Sequence, residues 1–283
     1  MTPYLHWSPT GQSGLSGPLL QLADDCDEAF RILASRWGAA EERHGAMLPA
    51  AALQRVGYLR SFPHQAMFPV RLAPDEARLE AFRDEPLDAL GQVSLTSPGP
   101  VTEVLTPAAC YHLYHAHQGQ ELDAPLYLTT KNTCFRAESR YEPLRRQAAF
   151  TMREIVCLGS PETVAGFLAL SRMHAGVLLD ALGIPVEWQI ATDPFFQPLS
   201  SPGYLMQRVS PVKHEAVYGT LAVASANLHH DHFGTAFGIK IDGRPAHSAC
   251  LAFGVERWLW SILQRHGEDP VNWPSAATAA RAL

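Results

Sequence analysis

The sequence predicts an α+β fold in which an antiparallel β-sheet is flanked by helices. Segments rich in β-branched and aromatic residues are grouped along the chain, and the helical segments lie outside these groups instead of alternating regularly with them. The 283 residues are 47% hydrophobic and 18% charged, which is sufficient for one large core or two small ones. Because no linker, repeat or low-complexity segment is apparent, we expect residues 1–283 to form a single domain.

The first predicted element is a helix over residues 19–37, where apolar side chains recur on one face before Gly38 ends it. A short apolar stretch follows and ends at Pro49. Residues 55–68 are dense in glycine, proline and aromatic residues without a period, which favours an irregular but packed connection. No domain boundary is predicted there.

The remaining elements follow Pro100, where strand-like segments alternate with turns. The predicted strands lie near Val101, Pro125, Cys134 and Phe150, and over residues 186–192, 219–226 and 236–241. Between them, Ser160 is a helix N-cap, Pro161 takes the first helical position and Gly183 ends the helix. A last helix is predicted over residues 250–264.

Charge and composition exclude several functional classes. The chain has 22 Lys plus Arg against 28 Asp plus Glu, and no basic stripe of the kind that binds a phosphate backbone. Its apolar runs are judged too short to span a bilayer, and no basic segment followed by an apolar one opens the chain. The five cysteines form no closely spaced framework. We therefore expect a cytoplasmic protein that binds neither extended nucleic acid nor a membrane.

The first pattern that carries chemistry is the segment FRAE at residues 135–138, followed by Arg146 and Phe150. On a strand, Arg136 and Glu138 share one face, where the arginine can bind phosphate and the carboxylate can accept a hydrogen bond from an exocyclic amine. Phe150 offers a stacking surface. The alternative is a solvated strand with a cross-strand ion pair.

The second pattern is the segment GVER at residues 254–257, which opens an apolar helix. The glycine allows a ligand to approach the backbone, and Arg257 can meet its phosphates. The signal is weak alone, because a glycine followed by an arginine is common at the start of a helix.

The third pattern is a dispersed set of Cys110, Glu154 and Cys250. Two thiolates and one carboxylate are a plausible three-ligand zinc set that leaves a fourth position for a substrate. The alternative is that the cysteines only fill the core, as most buried free cysteines do.

Together these patterns resemble the catalytic domain of class II aminoacyl-tRNA synthetases. Its three signature motifs would fall at about residues 19–49, 135–154 and 248–262. The spacing within the second motif is that of seryl-tRNA synthetases, and it is carried by Arg136, Glu138, Arg146, Phe150 and Glu154. The order of Cys110, Glu154 and Cys250 is similar to that of the zinc ligands in the atypical, zinc-dependent seryl-tRNA synthetases.

One difference from the seryl-tRNA synthetases points to a particular group of relatives. Those enzymes carry an N-terminal tRNA-binding domain ahead of the catalytic domain. Here only about 100 residues precede Val101, with one clear helix and no sustained heptads. The segments TPAACYHLYH, GYLRSFP and ASANLHHDHFG resemble the bacterial amino acid:[carrier protein] ligases, over most of residues 41–264. This implies activation of a small amino acid, glycine or alanine, and its transfer to the phosphopantetheine thiol of a carrier protein instead of tRNA. The alternatives are a truncated tRNA ligase and a non-catalytic paralogue that acts as a binding module.

The same resemblance implies the site roles. ATP would lie bent on the sheet, and the residues expected to bind it are Arg136, Glu138, Arg146, Phe150 and Arg257. Arg136, on the α-phosphate, and Arg257 are the expected catalytic residues, with adenine between Phe150 and Arg257. A zinc ion held by Cys110, Glu154 and Cys250 would bind the substrate α-amino group.

Three further expectations depend on the resemblance. Mg²⁺ is expected to accompany ATP. Its ligands stay unassigned, because Leu221 stands where the resemblance implies a magnesium-binding glutamate. On the same segment, Ser225 and Asn227 remain as substrate-pocket candidates. The first motif implies a homodimer. An acidic carrier protein would dock through local basic residues, namely Arg140, Arg145 or Arg172.

Some reactive residues receive no catalytic role. The histidines at 112, 115 and 117 and at 229, 230 and 232 lack a metal-ligand spacing, and are expected on the surface, at a docking site or in the substrate pocket. Cys134 and Cys157 are expected in the core. Lys213 remains unassigned.

Overall fold

The structure is a computed structural model that describes residues 2–95 and 98–283. Within them, ten α-helices are numbered in chain order: α1 Gly17–Ser35, α2 Ala50–Arg55, α3 Tyr58–Ser61, α4 Glu76–Asp84, α5 Cys110–Ala116, α6 Pro161–Ala181, α7 Pro202–Val209, α8 His232–Phe237, α9 Val255–His266 and α10 Ala276–Arg281. The strands are β1 Leu5–Ser8, β2 Gln12–Leu15, β3 Ala40–Glu42, β4 Met47–Pro49, β5 Glu103–Leu105, β6 Glu121–Leu122, β7 Leu126–Phe135, β8 Ala149–Gly159, β9 Glu187–Ala191, β10 Lys213–Tyr218, β11 Leu221–His230, β12 Lys240–Ile241, β13 Arg244–Pro245 and β14 His247–Gly254. Short 3-10 turns cover Pro198–Ser200 and Pro270–Asn272.

A seven-stranded sheet forms the centre of the molecule, in the order β3-β7-β8-β14-β11-β10-β9. Every neighbouring pair is antiparallel except β3 and β7, which run parallel. Three small sheets lie around it: β1 with β2, β4 with β5, and β13-β12-β6. The predicted α+β fold with an antiparallel sheet is therefore confirmed.

The two faces of the sheet are covered differently. The back face packs against α1, α6, α9 and α10, where Phe30 of α1 stacks on Phe253 of β14 with ring centroids 4.2 Å apart and meets the edge of Trp258 at 4.6 Å. The front face is covered only in part, by residues of α2, α5 and α8. Since successive strand residues point to opposite faces, each central strand gives one set of side chains to this core and the other to the open front.

Several predicted elements are corrected. The helix expected over residues 250–264 begins only at Val255, because residues 247–254 form β14, a central strand covered on both faces. An unbroken apolar run has no period that separates such a strand from a helix. The strand expected over residues 236–241 is wrong in most of its length: residues 236–237 end α8, residues 238–239 form a short connection, and only residues 240–241 are extended, as β12. The strand expected near Val101 is β5, which pairs with β4 outside the central sheet.

One helix also corrects the expectation that every apolar run is too short to span a bilayer. By length and composition, α6 could cross a membrane, and it is the one described helix that meets this criterion. In the fold, its residues Val164, Phe167, Leu178 and Leu179 are buried against the sheet and its neighbours. The same composition is found in the core helix of many globular proteins, so length alone indicates little.

A buried ion pair ties the first helix to the sheet. Arg153 of β8, whose side chain is 1% exposed, donates Nε to Asp27 Oδ1 at 2.6 Å and a second nitrogen to Oδ2 at 3.1 Å. The same guanidinium donates to Glu41 of β3 at 3.0 Å. Burial raises the pKa of Asp27, but its hydrogen bonds and charge interactions with Arg153 and Lys131 have the larger combined effect, so its pKa lies below the usual value. The segments expected to form the first and second motifs are thus held together by charge.

We predict that Asp27→Asn lowers the free energy of unfolding by about 3 kcal/mol, because it leaves a buried guanidinium incompletely neutralised. The matched control is Glu28→Gln, one residue along the same helix, where the carboxylate pairs with exposed Arg31. That substitution should cost less than about 1 kcal/mol. Urea unfolding of the three proteins measures both values, and equal losses would show that burial of the pair contributes nothing.

Candidate active site

Two adjoining cavities open on the front face of the sheet. The smaller, of about 120 Å³, is lined by four arginines and is termed the arginine cavity: Arg136, Arg145, Arg146 and Arg257. The larger, of about 560 Å³, reaches Cys110 and Cys250 and is termed the cysteine cavity. Five residues line both cavities and form their junction: Arg136, Met152, Lys213, Ser225 and Ala252.

The arginine cavity contains all five residues expected to bind ATP: Arg136, Glu138, Arg146, Phe150 and Arg257. Arg136 lies over the Phe150 ring, 5.1 Å from its centroid, and Arg146 donates to Glu138 at 2.7 Å. The expectation that Arg136 and Glu138 share one face of a strand is wrong, because β7 ends at Phe135 and both residues lie in the following loop.

Arg257 stands at the start of α9 and is fixed by backbone carbonyls. Its Nε donates to the Arg145 carbonyl at 3.0 Å, and a terminal nitrogen donates to the Ala222 carbonyl at 2.9 Å. Burial, and to a lesser extent the positive charge of Arg136, lower the pKa of Arg257. A concave site that gathers several guanidinium groups is suited to an anion such as a polyphosphate.

The three dispersed residues of the third pattern meet in the cysteine cavity. Ligand atoms of Cys110, Glu154 and Cys250 all lie within 4.8 Å of one another, and all three residues are buried. Glu154 stands on β8 and Cys250 on the adjacent β14, while Cys110 begins α5 above them. Among residues 2–95 and 98–283, this is the one such group of three metal-binding side chains. It is a possible metal site, and two sulfurs with one carboxylate suit a borderline-soft divalent ion.

Hydrogen bonds prepare this group for a ligand. The backbone N–H of Ala109 donates to Glu154 Oε1 at 2.7 Å, and the Asn227 side-chain amide donates to Cys250 Sγ at 3.3 Å. Burial raises the pKa of Glu154 to about 7. The hydrogen bond from the Cys110 thiol lowers the pKa of Cys250 well below its usual value, and the same bond and burial raise that of Cys110. Such a set of buried acids requires compensation by a cation or by protons.

Ser225 and Asn227 line the cysteine cavity, as expected of substrate-pocket residues, and they face it from β11. Asn227 lies opposite Cys250, and its amide also donates to Ser225 Oγ at 3.2 Å. Leu221 lies beside the turn between β10 and β11 and is buried. An aliphatic side chain binds no Mg²⁺, so position 221 supplies no magnesium ligand.

The sequence reasoning missed an ion-pair cluster at the junction. Lys213 Nζ lies 2.8 Å from Asp193 Oδ1 and 3.3 Å from Glu215 Oε1. Gln207 of α7 donates to the other oxygen of Asp193 at 2.8 Å. The available signal was Lys-x-Glu in a strand, which places both side chains on one face.

The histidines occupy two different regions. His229, His230 and His232 line the cysteine cavity, and His229 Nε2 lies 3.8 Å from Cys250 Sγ. The histidines at 112, 115 and 117 lie on or beside α5, where His117 contacts Glu42 at 2.6 Å, and none of the three lines either cavity. Cys134 and Cys157 are fully buried, as expected of core residues.

The chain is similar to several known proteins. The family model for the tRNA synthetase class II core domain (G, H, P, S and T) matches residues 102–266. Two proteins of Bradyrhizobium diazoefficiens, "Amino acid--[acyl-carrier-protein] ligase 1" and "2", are 33% and 36% identical, over 84% and 80% of this chain and 75% and 70% of their own lengths. The "Type-2 serine--tRNA ligase" of Methanococcus maripaludis is 28% identical over 81% of this chain, which spans only 48% of that enzyme.

A solved structure supports the fold. The solved structure titled "Crystal structure of A. aeolicus tRNASec in complex with M. kandleri SerRS" matches 99% of this chain with a TM-score of 0.81 and 19% identity, while the chain spans 58% of the matched chain. At that identity the likeness concerns the fold alone. The family model, which matches more than half of the chain, and the Bradyrhizobium relatives show that the chain belongs to the tRNA synthetase class II core domain family.

Proposed function

We propose that the protein is a ligase that activates a small amino acid with ATP and transfers it to the phosphopantetheine thiol of a carrier protein. The observation that carries the proposal is the junction of the two cavities, where an arginine-lined anion site meets a buried Cys-Glu-Cys group. The two Bradyrhizobium relatives, named amino acid–acyl-carrier-protein ligases, support the same activity. Glycine or alanine is the proposed substrate.

The arginine cavity is the proposed ATP site. Adenine would lie between Phe150 and Arg257, and Arg136 would bind the α-phosphate. A carboxylate oxygen of the amino acid forms a bond to the α-phosphorus, the bond to pyrophosphate breaks, and pyrophosphate leaves with the electron pair. Arg136 and Arg257 would stabilise the negative charge that develops on the phosphoryl oxygens.

The Cys-Glu-Cys group is the proposed amino-acid anchor. Its donor set and its burial fit zinc, held by Cys110, Glu154 and Cys250. When bound, zinc supplies a Lewis-acidic fourth position for the α-amino group, which selects an amino acid over other carboxylic acids. Mg²⁺ is proposed to accompany ATP, with no ligand assigned on the chain.

The cysteine cavity leaves room for the second substrate. Its volume of about 560 Å³ lies in the range that holds a drug-sized ligand, which exceeds the need of glycine or alanine. We propose that the phosphopantetheine arm enters here. Its thiol sulfur bonds to the carbonyl carbon of the adenylate, the bond to AMP breaks, and the thiol proton leaves with AMP or water. The product is an aminoacyl thioester.

The proposed docking arginines differ in their surroundings. Arg145 lies 4.9 Å from the Trp260 ring centroid and Arg172 lies 5.2 Å from that of Trp188. The Arg140 side chain is 72% exposed, so it is the most accessible of the three to an acidic carrier. We also propose a cytoplasmic location for a chain whose five cysteines are all free.

We predict that the purified protein holds about one zinc ion per chain, because two thiolates and a carboxylate match the preference of the metal. Cys250→Ser should lose both the metal and ATP–pyrophosphate exchange. Cys157→Ala is the matched control, since this buried cysteine belongs to the back core and should keep its zinc. Elemental analysis measures the metal, and full exchange in metal-free Cys250→Ser would overturn the assignment.

We predict a thioester product. Mass spectrometry of a holo carrier protein incubated with enzyme, ATP and glycine or alanine should show a mass gain that hydroxylamine removes. The apo carrier, which lacks the thiol arm, should show none. Carrier binding should weaken only modestly with salt, because few charges are involved. If the enzyme charges only tRNA, the proposal of a carrier-protein acceptor is wrong. If it forms neither product but still binds ATP, the result favours a non-catalytic binding module.

We predict a homodimer through the segment of α1, β3 and β4, which takes the position of the first motif. In the central sheet β3 is an edge strand, and an edge strand offers unpaired backbone groups on its outer side, where the second copy is proposed to pack. Light scattering at micromolar concentration should give twice the chain mass of 31.0 kDa. A monomer would count against this interface.

A further inference from the structure

Lysine is rare in this chain. Only three of the 22 basic residues are lysines, namely Lys131, Lys213 and Lys240. Lys131 and Lys240 are exposed, whereas the Lys213 side chain is 17% exposed and lies at the junction of the two cavities. An ammonium differs from a guanidinium in being a compact point charge. The one lysine that the described fold largely buries is therefore placed where the two substrates must meet.

The sheet register fixes the position of Lys213. It lies opposite Asn227 of β11, which lies opposite Cys250 of β14, so the three residues form one row across the front face. With strands about 4.8 Å apart, this row spans about 10 Å. An amino acid anchored at Cys250 by its amino group would thus extend its carboxylate along the row, toward the junction.

Two carboxylates hold the ammonium in place and in its charged form. Asp193 and Glu215 contact Lys213 Nζ from two elements, the loop after β9 and β10 itself. Although burial lowers the pKa of Lys213, these carboxylates raise it above its usual value. Arg136 and Lys213 are the cationic side chains that line both cavities in the described part of the chain.

The other acidic groups of the arginine cavity are already engaged. Glu138 pairs with Arg146, and both oxygens of Glu256 accept from the Thr151 backbone N–H at 2.9 Å. Position 221, where a metal-binding carboxylate was expected, holds a buried leucine. With no carboxylate at position 221 to hold a metal ion, more of the positive charge at the reacting phosphorus must come from the protein's own cationic side chains.

We propose that Lys213 is a further catalytic residue, whose ammonium contacts the amino-acid carboxylate as it attacks the α-phosphorus. This rests on the proposed adenylate-forming function. The oxygen–phosphorus bond forms, the bond to pyrophosphate breaks with its electron pair, and Lys213 keeps its proton throughout. Its contribution is electrostatic, and Asp193 and Glu215 are positioning residues.

The test is ATP–pyrophosphate exchange with alanine and with glycine. Lys213→Met keeps an apolar stem without charge, and we expect kcat to fall at least about 100-fold, or about 2.7 kcal/mol. The KM for ATP and the zinc content should change less than about threefold, because the residue acts mainly in the transition state. Lys240→Met is the matched control and should equal the wild type.

Chemical rescue separates catalysis from structure. Exchange by Lys213→Ala should rise with added ethylammonium or propylammonium, and exchange by Lys240→Ala should not respond. If the neutral variants fail to fold, Lys213→Arg provides the test. Its kcat is expected to fall about tenfold, because the longer, planar guanidinium places the positive charge away from the position of the ammonium.

Three results would overturn the proposal while leaving the ligase function intact. These are a folded Lys213→Met with kcat within threefold of the wild type, a folded Lys213→Ala that no amine restores, and a Lys213→Arg of unchanged kcat. Failure of the proposed function looks different, because the wild type itself would then form neither adenylate nor thioester.

Discussion

The register of the central antiparallel sheet is the constraint on which the site depends. Opposed residues of β8, β14, β11 and β10 share a face, and so a single alignment brings Glu154, Cys250, Asn227 and Lys213 to the front. A slip of one residue in any strand would turn its functional side chains into the back core. The apolar residues of that core therefore hold the register, because Ile155, Leu251 and Ala226 would be exposed by the same slip. Packing on one face thus determines chemistry on the other.

Electrostatics inside the molecule run against its overall charge. The chain carries a net charge of −6, yet four arginines and Lys213 converge on the front face. Each is held by a local acceptor, either a carboxylate or a backbone carbonyl, which fixes its direction before an anion arrives. Fixed charges of this kind cost no reorganisation during reaction, and they act more strongly in a partly buried site than in water. A global positive field is not required.

Sequence reasoning reached the fold class and predicted residues that the structure brings together, and for the arginine cavity this depends on local spacing. Arg136, Arg146 and Phe150 lie within one hairpin, so their spacing alone brings them to one cavity. The assignment of residues 250–254 to a helix failed because an apolar run in a doubly covered strand has no period. Lys213 and Asp193 are twenty residues apart and meet only through the pairing of β9 with β10. Such a contact follows from tertiary structure and leaves no motif.

In the proposed mechanism, the two cavities would also separate the two half-reactions in space. The cavities share only the five junction residues, so a nucleotide in the arginine cavity and a thiol arm in the cysteine cavity would approach the amino acid from different sides. With that placement, pyrophosphate would leave from the arginine cavity, and the arm would reach the carbonyl carbon from the cysteine cavity. In this proposal, the amino acid is held by its amino end at the buried Cys-Glu-Cys group. An adenylate formed at the junction would then meet the thiol arm from the cysteine cavity after pyrophosphate has left, and such an order of access would favour transfer to the carrier over hydrolysis.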